Sequence, residues 1–202
     1  MNDNNGFTVW LTGLPYSGKK QLAGMLAAEL ESLGWNVEIL DGGKIRREYE
    51  EGLGFSMEEV TQNIKRIGFE CKMLTETGAV AIAVTISPYK KQRDKLREEI
   101  GRFVEVYCRA PMNVLQKRDT KGLYKAAECG DYADVAGISA PYEKPDKPEV
   151  DFDSSKESFE DVLAKLLSTL QMLGYIEDIG HKVLTDEEEE LIRKHLQDLG
   201  YI

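Results

Sequence analysis

Thr12-Gly13-Leu14-Pro15-Tyr16-Ser17-Gly18-Lys19-Lys20 joins two segments of opposite character. Before it, Phe7-Thr8-Val9-Trp10-Leu11 reads as a buried strand. After it, Leu22, Leu26 and Leu30 recur every four residues, as one face of a helix does. A glycine-rich turn between strand and helix is the setting that the phosphate-binding pattern G-x-x-x-x-G-K-S/T requires. Glycines let successive backbone N–H groups turn inward around phosphate oxygens, and the helix N-terminus adds partial positive charge. Lys19 then supplies a full charge at the β- and γ-phosphates. Gly13, Leu14, Pro15, Tyr16, Ser17, Gly18, Lys19 and Lys20 are therefore expected to hold ATP. The bland alternative is a chance glycine-rich turn, which the flanking strand and helix disfavour. One position departs from the pattern: the hydroxyl that would ligate Mg²⁺ is replaced by Lys20.

Outward from this stretch, the 202 residues suit one α/β domain with an adequate core. With 42% hydrophobic and 31% charged residues, the composition is that of an ordinary soluble globular protein. There is no apolar run of about 18 residues and no signal-peptide pattern, so no membrane association and a cytoplasmic location are expected. Cys71, Cys108 and Cys129 are odd in number and lack close pairing, which favours reduced thiols over a disulfide or zinc set. His181 and His195 lack metal-ligand spacing and read as surface residues. The net charge of −10 argues against nucleic acid as a partner. Residues 151–202 hold 13 acidic against 5 basic residues, a balance of −8, which leaves −2 for residues 1–150.

Asn36-Val37-Glu38-Ile39-Leu40-Asp41 reads as a second strand ending in a carboxylate. Ligands of open parallel sheets sit beyond the strands' carboxyl ends, which places Asp41 and Arg46 near the phosphate loop. Alternatively, Asp41 is a turn or N-cap residue. Ser56 with Glu59 forms a capping box for a helix whose stripe is Val60, Ile64, Ile67, Cys71 and Leu74. Asn63 and Arg66 read as solvated residues of that helix. Gly78 to Ile86 is a continuous apolar run, as in a central parallel strand, and stops at Ser87-Pro88-Tyr89. A basic helix from Lys90 to Ile100 leads to another strand, Phe103 to Cys108, and this alternation predicts a doubly wound parallel sheet. From Asn113 to Pro145 the pattern becomes irregular, and residues 130–148 read either as a lid or as a plain surface loop. Ser158 to Leu170 reads as an amphipathic helix. A final helix is predicted over about 186–198, opened by a capping box at Thr185 and docking through Leu191, Ile192, Leu196 and Leu199. This helix is either a solvated acidic segment or a dimer contact. Leu173-Gly174-Tyr175-Ile176 recurs as Leu199-Gly200-Tyr201-Ile202.

Several ordered motifs carry a family resemblance: Gly13 to Lys19, Leu40-Asp41-Gly42, Arg46, Leu53-Gly54-Phe55-Ser56, and Asn63-Ile64-Lys65-Arg66-Ile67-Gly68. They continue as Ile86-Ser87-Pro88-Tyr89, Phe103 to Val106, Arg118-Asp119, Lys121 to Lys125, Gly137-Ile138 and Pro141-Tyr142-Glu143. Over about residues 7–172 the chain resembles the adenylylsulfate kinases, which transfer the γ-phosphoryl group of ATP to the 3′-hydroxyl of adenosine 5′-phosphosulfate (APS). The resemblance implies a P-loop kinase-like fold with a five-stranded parallel sheet, Mg-ATP on the phosphate loop, and a homodimer. It implies an APS site of Asp41, Arg46, Phe55, Asn63, Ile86, Ser87, Pro88, Lys121 and Leu123. Lys19, Asp41, Ser87 and Lys121 would act in catalysis, and Arg118 would lie over ATP. On this reading residues 1–176 form the nucleotide-binding domain and 177–202 an acidic helical extension of it.

Four positions depart from the family pattern. Besides Lys20, the family's second strand ends Asp-Gly-Asp-Asn where this chain has Asp41-Gly42-Gly43-Lys44. Glu59-Val60 replaces an Asp-Arg pair, and Val135-Ala136 replaces the Phe-Thr of the lid. No protein ligand for a metal is expected with these residues, so Mg²⁺ would bind weakly or through the phosphates. Three functions follow: an adenylylsulfate kinase, slow if active; a nucleotide-binding regulatory paralogue; or a kinase with another small acceptor.

Overall fold

The computed structural model describes residues 5–49, 56–132, 134–177 and 184–202, with residues 46–49 given by their backbone. Five strands, β1 (Phe7–Thr12), β2 (Val37–Asp41), β3 (Val80–Val84), β4 (Phe103–Arg109) and β5 (Val150–Asp153), form one sheet in the order β2-β3-β1-β4-β5. Every pairing is parallel. The doubly wound five-stranded sheet expected from the sequence is present.

Burial on both faces explains the apolar runs. Along β1, Phe7, Val9 and Leu11 point to one face and join Leu22, Leu26 and Leu30 of α1 (Lys19–Ser32) with Val162, Leu166 and Leu170 of α7 (Phe159–Met172). Trp10 points to the other face and joins Ala81 and Ala83 of β3 with Ile64, Ile67 and Cys71 of α3 (Met57–Glu76) and Leu96 of α4 (Lys90–Ile100). A fully buried leucine or isoleucine contributes about 1.5–3 kcal/mol relative to exposure. These two clusters therefore fix the helices on their faces. Both predicted capping boxes are formed, at Ser56–Glu59 and at Thr185–Glu188, the latter opening α8 (Asp186–Leu199).

Several details differ from the sequence reading. The stretch from Asn113 to Pro145 is not wholly irregular: it contains α5 (Met112–Arg118) and α6 (Leu123–Glu128), helices too short to show a periodicity. A further helix, α2 (Gly42–Tyr49), follows β2 directly. Asn63 is not solvated, being 8% exposed between α3 and the start of α2. Helix α8 docks through Ile192 and Leu196, with Leu199 half-buried, whereas Leu191 is 68% exposed. His195 is not merely a surface residue, since its Nε2 donates to the Pro148 carbonyl at 2.7 Å. Cys71 and Cys108 are buried free thiols and Cys129 an exposed one. Among the described residues no helix is long and apolar enough to cross a membrane.

Candidate active site

The carboxyl ends of β1, β2 and β3 carry Gly13–Lys20, Asp41 and Ser87 to one side of the sheet, the side on which open parallel sheets bind ligands. Gly13 has φ +140°, and a Cβ there would lie 2.0 Å from the Cys108 carbonyl oxygen on β4. Only glycine lets the loop turn this close to the sheet. Lys19 opens α1 and is 7% exposed. Its Nζ donates to the carbonyls of Gly13 and Leu14, each at 2.7 Å, and to Ser17 Oγ at 3.2 Å.

Neighbouring elements brace the loop from outside. Tyr124 on α6 donates its hydroxyl to the Pro15 carbonyl at 2.9 Å. Arg118, at the end of α5, donates to the Tyr16 carbonyl at 3.4 Å and to both the side chain and carbonyl of Ser154 at 2.8 Å. The turn 135–140 rests on the loop as well: Gly137, at φ +84°, leaves room for the Leu14 side chain, which a Cβ would meet at 2.5 Å. Val135, at the family's lid aromatic, is buried, and its carbonyl accepts three N–H groups of that turn.

Burial pushes the Lys19 ammonium down to about 8; Lys20 adds to the shift, while Cys108 and Asp41 oppose it. Below that pH the loop holds a full positive charge, and above it the charge is lost. Phosphate oxygens favour the charged form, so nucleotide binding should take up protons near pH 8. ATP affinity is expected to fall as pH rises past about 8, by no more than about tenfold per unit. Calorimetry in two buffers of different ionisation enthalpy measures both effects. A flat profile without proton uptake would separate Lys19 from the nucleotide.

Lys20, the next residue, points to β2. Its Nζ lies 2.5 Å from Asp41 Oδ2. Asp41 Oδ1 accepts the N–H groups of Gly43 at 2.9 Å and Lys44 at 3.2 Å, so the same carboxylate caps α2. Desolvation raises the Asp41 carboxyl, but Lys20 and the two N–H groups outweigh it and hold the carboxyl below its ordinary range. With Lys20 largely exposed, the ion pair itself contributes at most about 1 kcal/mol.

These residues do not fit a protein-held Mg²⁺. That ion needs oxygen ligands in octahedral geometry. Here an ammonium occupies the position of one ligating hydroxyl, both Asp41 oxygens are engaged, and Gly43 brings no side chain. Among the described residues no group of three or more His, Cys, Asp or Glu side chains converges as a cation site.

Beside the loop lies the edge built by Ile86-Ser87-Pro88. Ser87 is 1% exposed at φ 37°, an uncommon conformation for a residue with a side chain. Its Oγ accepts from Trp10 Nε1 at 2.9 Å and donates to Thr12 Oγ1 at 3.0 Å. Thr12 Oγ1 also donates to the Ile86 carbonyl at 2.8 Å, and Tyr142 completes the group at 2.9 Å. Arg93, 1% exposed, donates to the Ser87 carbonyl at 2.5 Å and the Glu143 carbonyl at 2.7 Å, and its Nε meets Glu105 at 2.6 Å. Asn63 Nδ2 donates to the Gly42 carbonyl at 3.2 Å, while its buried Oδ1 has no hydrogen-bond partner among the described residues, an acceptor available to a ligand.

The structure thus gathers Gly13–Lys20, Asp41, Asn63, Ile86, Ser87, Pro88 and Arg118 around the strand ends. Lys121 is exposed on the α5–α6 connection, with its N–H on Asp119 at 3.2 Å, and Leu123 begins α6. Arg46 is placed by its backbone on α2, and Phe55 lies outside the described residues. Thr12, Arg93, Tyr124 and Tyr142 brace this site without being candidate site residues in the sequence. Tyr142 lies in a motif that matched, but nothing marks Arg93 in the run Lys90-Lys91-Gln92-Arg93.

The adenylylsulphate kinase family model matches residues 5–153, which contain every element of this site. The chain belongs to that family. An adenylyl-sulfate kinase of Microcystis aeruginosa is 44% identical over 171 residues, covering 85% of this chain and 94% of that relative. A probable bifunctional SAT/APS kinase of Sorangium cellulosum is 48% identical over 179 residues, and this chain spans only 31% of its length. Among solved structures, the APS kinase of Mycobacterium tuberculosis in complex with AMPPNP and APS is 31% identical. It covers 83% of this chain and 98% of its own, with a TM-score of 0.76.

Proposed function

We propose that this member of the adenylylsulfate kinase family transfers the γ-phosphoryl group of ATP to the 3′-hydroxyl of APS, as a cytoplasmic homodimeric enzyme of sulfate activation. The observation that carries the reading is the buried Lys19 inside Gly13–Gly18, facing the Asp41 and Ser87 ends of the sheet. In the transfer, the acceptor oxygen bonds to the γ-phosphorus, the bond to the β,γ-bridging oxygen breaks, and the hydroxyl proton is released. Phosphoryl transfer needs chiefly positioning and charge neutralisation. Lys19 and the loop N–H groups neutralise the β- and γ-phosphates. Asp41, held below its ordinary range by Lys20, is a weak base, so it orients the acceptor hydroxyl rather than taking its proton. Arg46, Phe55 and Asn63 hold the acceptor nucleotide, with the Ile86–Pro88 edge, Lys121 and Leu123.

A second reading rests on the Lys20–Asp41 ion pair, which takes the place of metal-linked groups. It makes the chain a nucleotide-binding paralogue that regulates rather than catalyses. Calorimetric titration with ATP and then APS, followed by a turnover assay, separates the two. The kinase reading expects both to bind with turnover; binding of both without turnover supports the regulatory one. Failure of APS to bind excludes it as the acceptor.

A further inference from the structure

The two copies of Leu-Gly-Tyr-Ile end their helices alike. Gly174 and Gly200 adopt φ 65° and 83°, and their N–H groups donate to Gln171 and Gln197 carbonyls at 2.9 Å. The following N–H groups, of Tyr175 and Tyr201, donate to the carbonyls of Leu170 and Leu196 at 2.9 and 3.0 Å. This is the left-handed glycine cap that folds the next residue back across the helix end. The Tyr175 ring goes into the core, under the Arg102 guanidinium at 4.1 Å and against Phe7.

Tyr201 goes elsewhere. Its hydroxyl accepts from Arg97 at 2.5 Å and donates to Glu149 at 2.7 Å. Arg97 holds both Glu149 oxygens, at 2.6 and 2.9 Å, and Glu149 also accepts the Glu105 N–H at 2.5 Å. Glu105 binds Arg93, which reaches the carbonyls of Ser87 and Glu143. An unbroken run of hydrogen bonds therefore links Tyr201 to the Ser87–Pro88 edge.

A second observation points the same way. Helix α8 and its cap grip three successive residues just before β5: Lys147 donates to the Asp198 carbonyl at 3.4 Å, His195 to the Pro148 carbonyl, and Tyr201 binds Glu149. Residues 141–149 form neither helix nor strand, so contacts outside the regular helix and sheet ladders set their path. At the far end that path is fixed by Tyr142 on Thr12 and by the Glu143 N–H on the Pro88 carbonyl at 2.8 Å. The family match ends at residue 153, so α8 lies outside it.

We propose that α8 and Tyr201 form a clasp that positions residues 141–149 against the Ser87–Pro88 edge, so that acceptor binding depends on Gly200–Ile202 while ATP binding does not. The acceptor part rests on the function proposed above; the positioning of residues 141–149 does not. Tyr201 is a positioning residue, acting through Glu149, Arg97 and Arg93. The test uses the full chain, Tyr201→Phe, and a chain ending at Leu199, each measured by amide exchange and by ATP and APS calorimetry. Loss of one hydroxyl in a charged network corresponds to about a 5- to 10-fold change. Exchange over residues 142–149 should accelerate by that factor in Tyr201→Phe and by more in the shortened chain, with residues 7–12 unchanged. APS affinity should fall in step while ATP affinity stays constant. Unchanged exchange over 142–149 in both variants, or equal acceleration throughout the protein, overturns the clasp. Faster exchange with unaltered APS affinity overturns its role at the acceptor. If APS fails to bind the full chain, the acceptor assignment falls and the exchange result alone decides the clasp.

Discussion

Lys19→Ala should lower nucleotide affinity or phosphoryl-transfer rate by about 10²-fold, the scale of removing one preorganised donor from a charged site. The ammonium already lies within the loop, with its donors on the Gly13 and Leu14 carbonyls and Ser17 Oγ, so it meets phosphate by exchanging one of these bonds in place. Its removal takes away a full charge that the loop N–H groups cannot replace. The variant should also lose the pH dependence of ATP binding near pH 8. Calorimetry and steady-state turnover on the variant check both parts. Unaltered affinity and rate would place the nucleotide elsewhere on the molecule.

Lys20→Thr combined with Gly43→Asp should have the next largest effect, and in the opposite direction. The pair removes the ammonium from Asp41 and adds a carboxylate beside it. Gly43 does not have positive φ, so aspartate is conformationally tolerated, and in the first turn of α2 it meets the favourable end of the helix dipole. Lys20→Thr alone supplies a hydroxyl but no second carboxylate; Gly43→Asp alone leaves the ammonium in place to compete for it. Non-additivity between neighbours sharing one partner is therefore expected. Turnover should rise by about 10-fold or more in the double variant, beyond the product of the single changes, and Mg²⁺ dependence should rise with it. Turnover measured across a Mg²⁺ series in all four proteins checks this. Additive or absent gains would show that the two positions do not share a site.

The sequence made the fold legible where burial leaves a period. Strands β1, β3 and β4 are covered on both faces, and their apolar runs say so. Strand β5, at Val150–Asp153, is short and half acidic, while α5 and α6 span seven and six residues, too few to repeat a face. The phosphate loop was legible because its chemistry is local in sequence. The Lys20–Asp41 pair spans 21 positions, and the departure at Lys20 was visible while its partner was not. Arg93 shows the limit most clearly: within a basic helix its composition matches a solvated cation, yet it is 1% exposed and joins three segments. Only tertiary packing distinguishes it from Lys90 and Lys91.

An ammonium, Lys20, stands where the phosphate loop would otherwise help hold a metal, so ground-state nucleotide binding should be carried by the chain's own cations. ATP titrated calorimetrically into the protein in Mg²⁺ and again in EDTA measures this. Dissociation constants within about threefold of each other, a difference under about 1 kcal/mol, are predicted. Binding that collapses in EDTA by about 10²-fold or more, as a metal-held nucleotide requires, would contradict it.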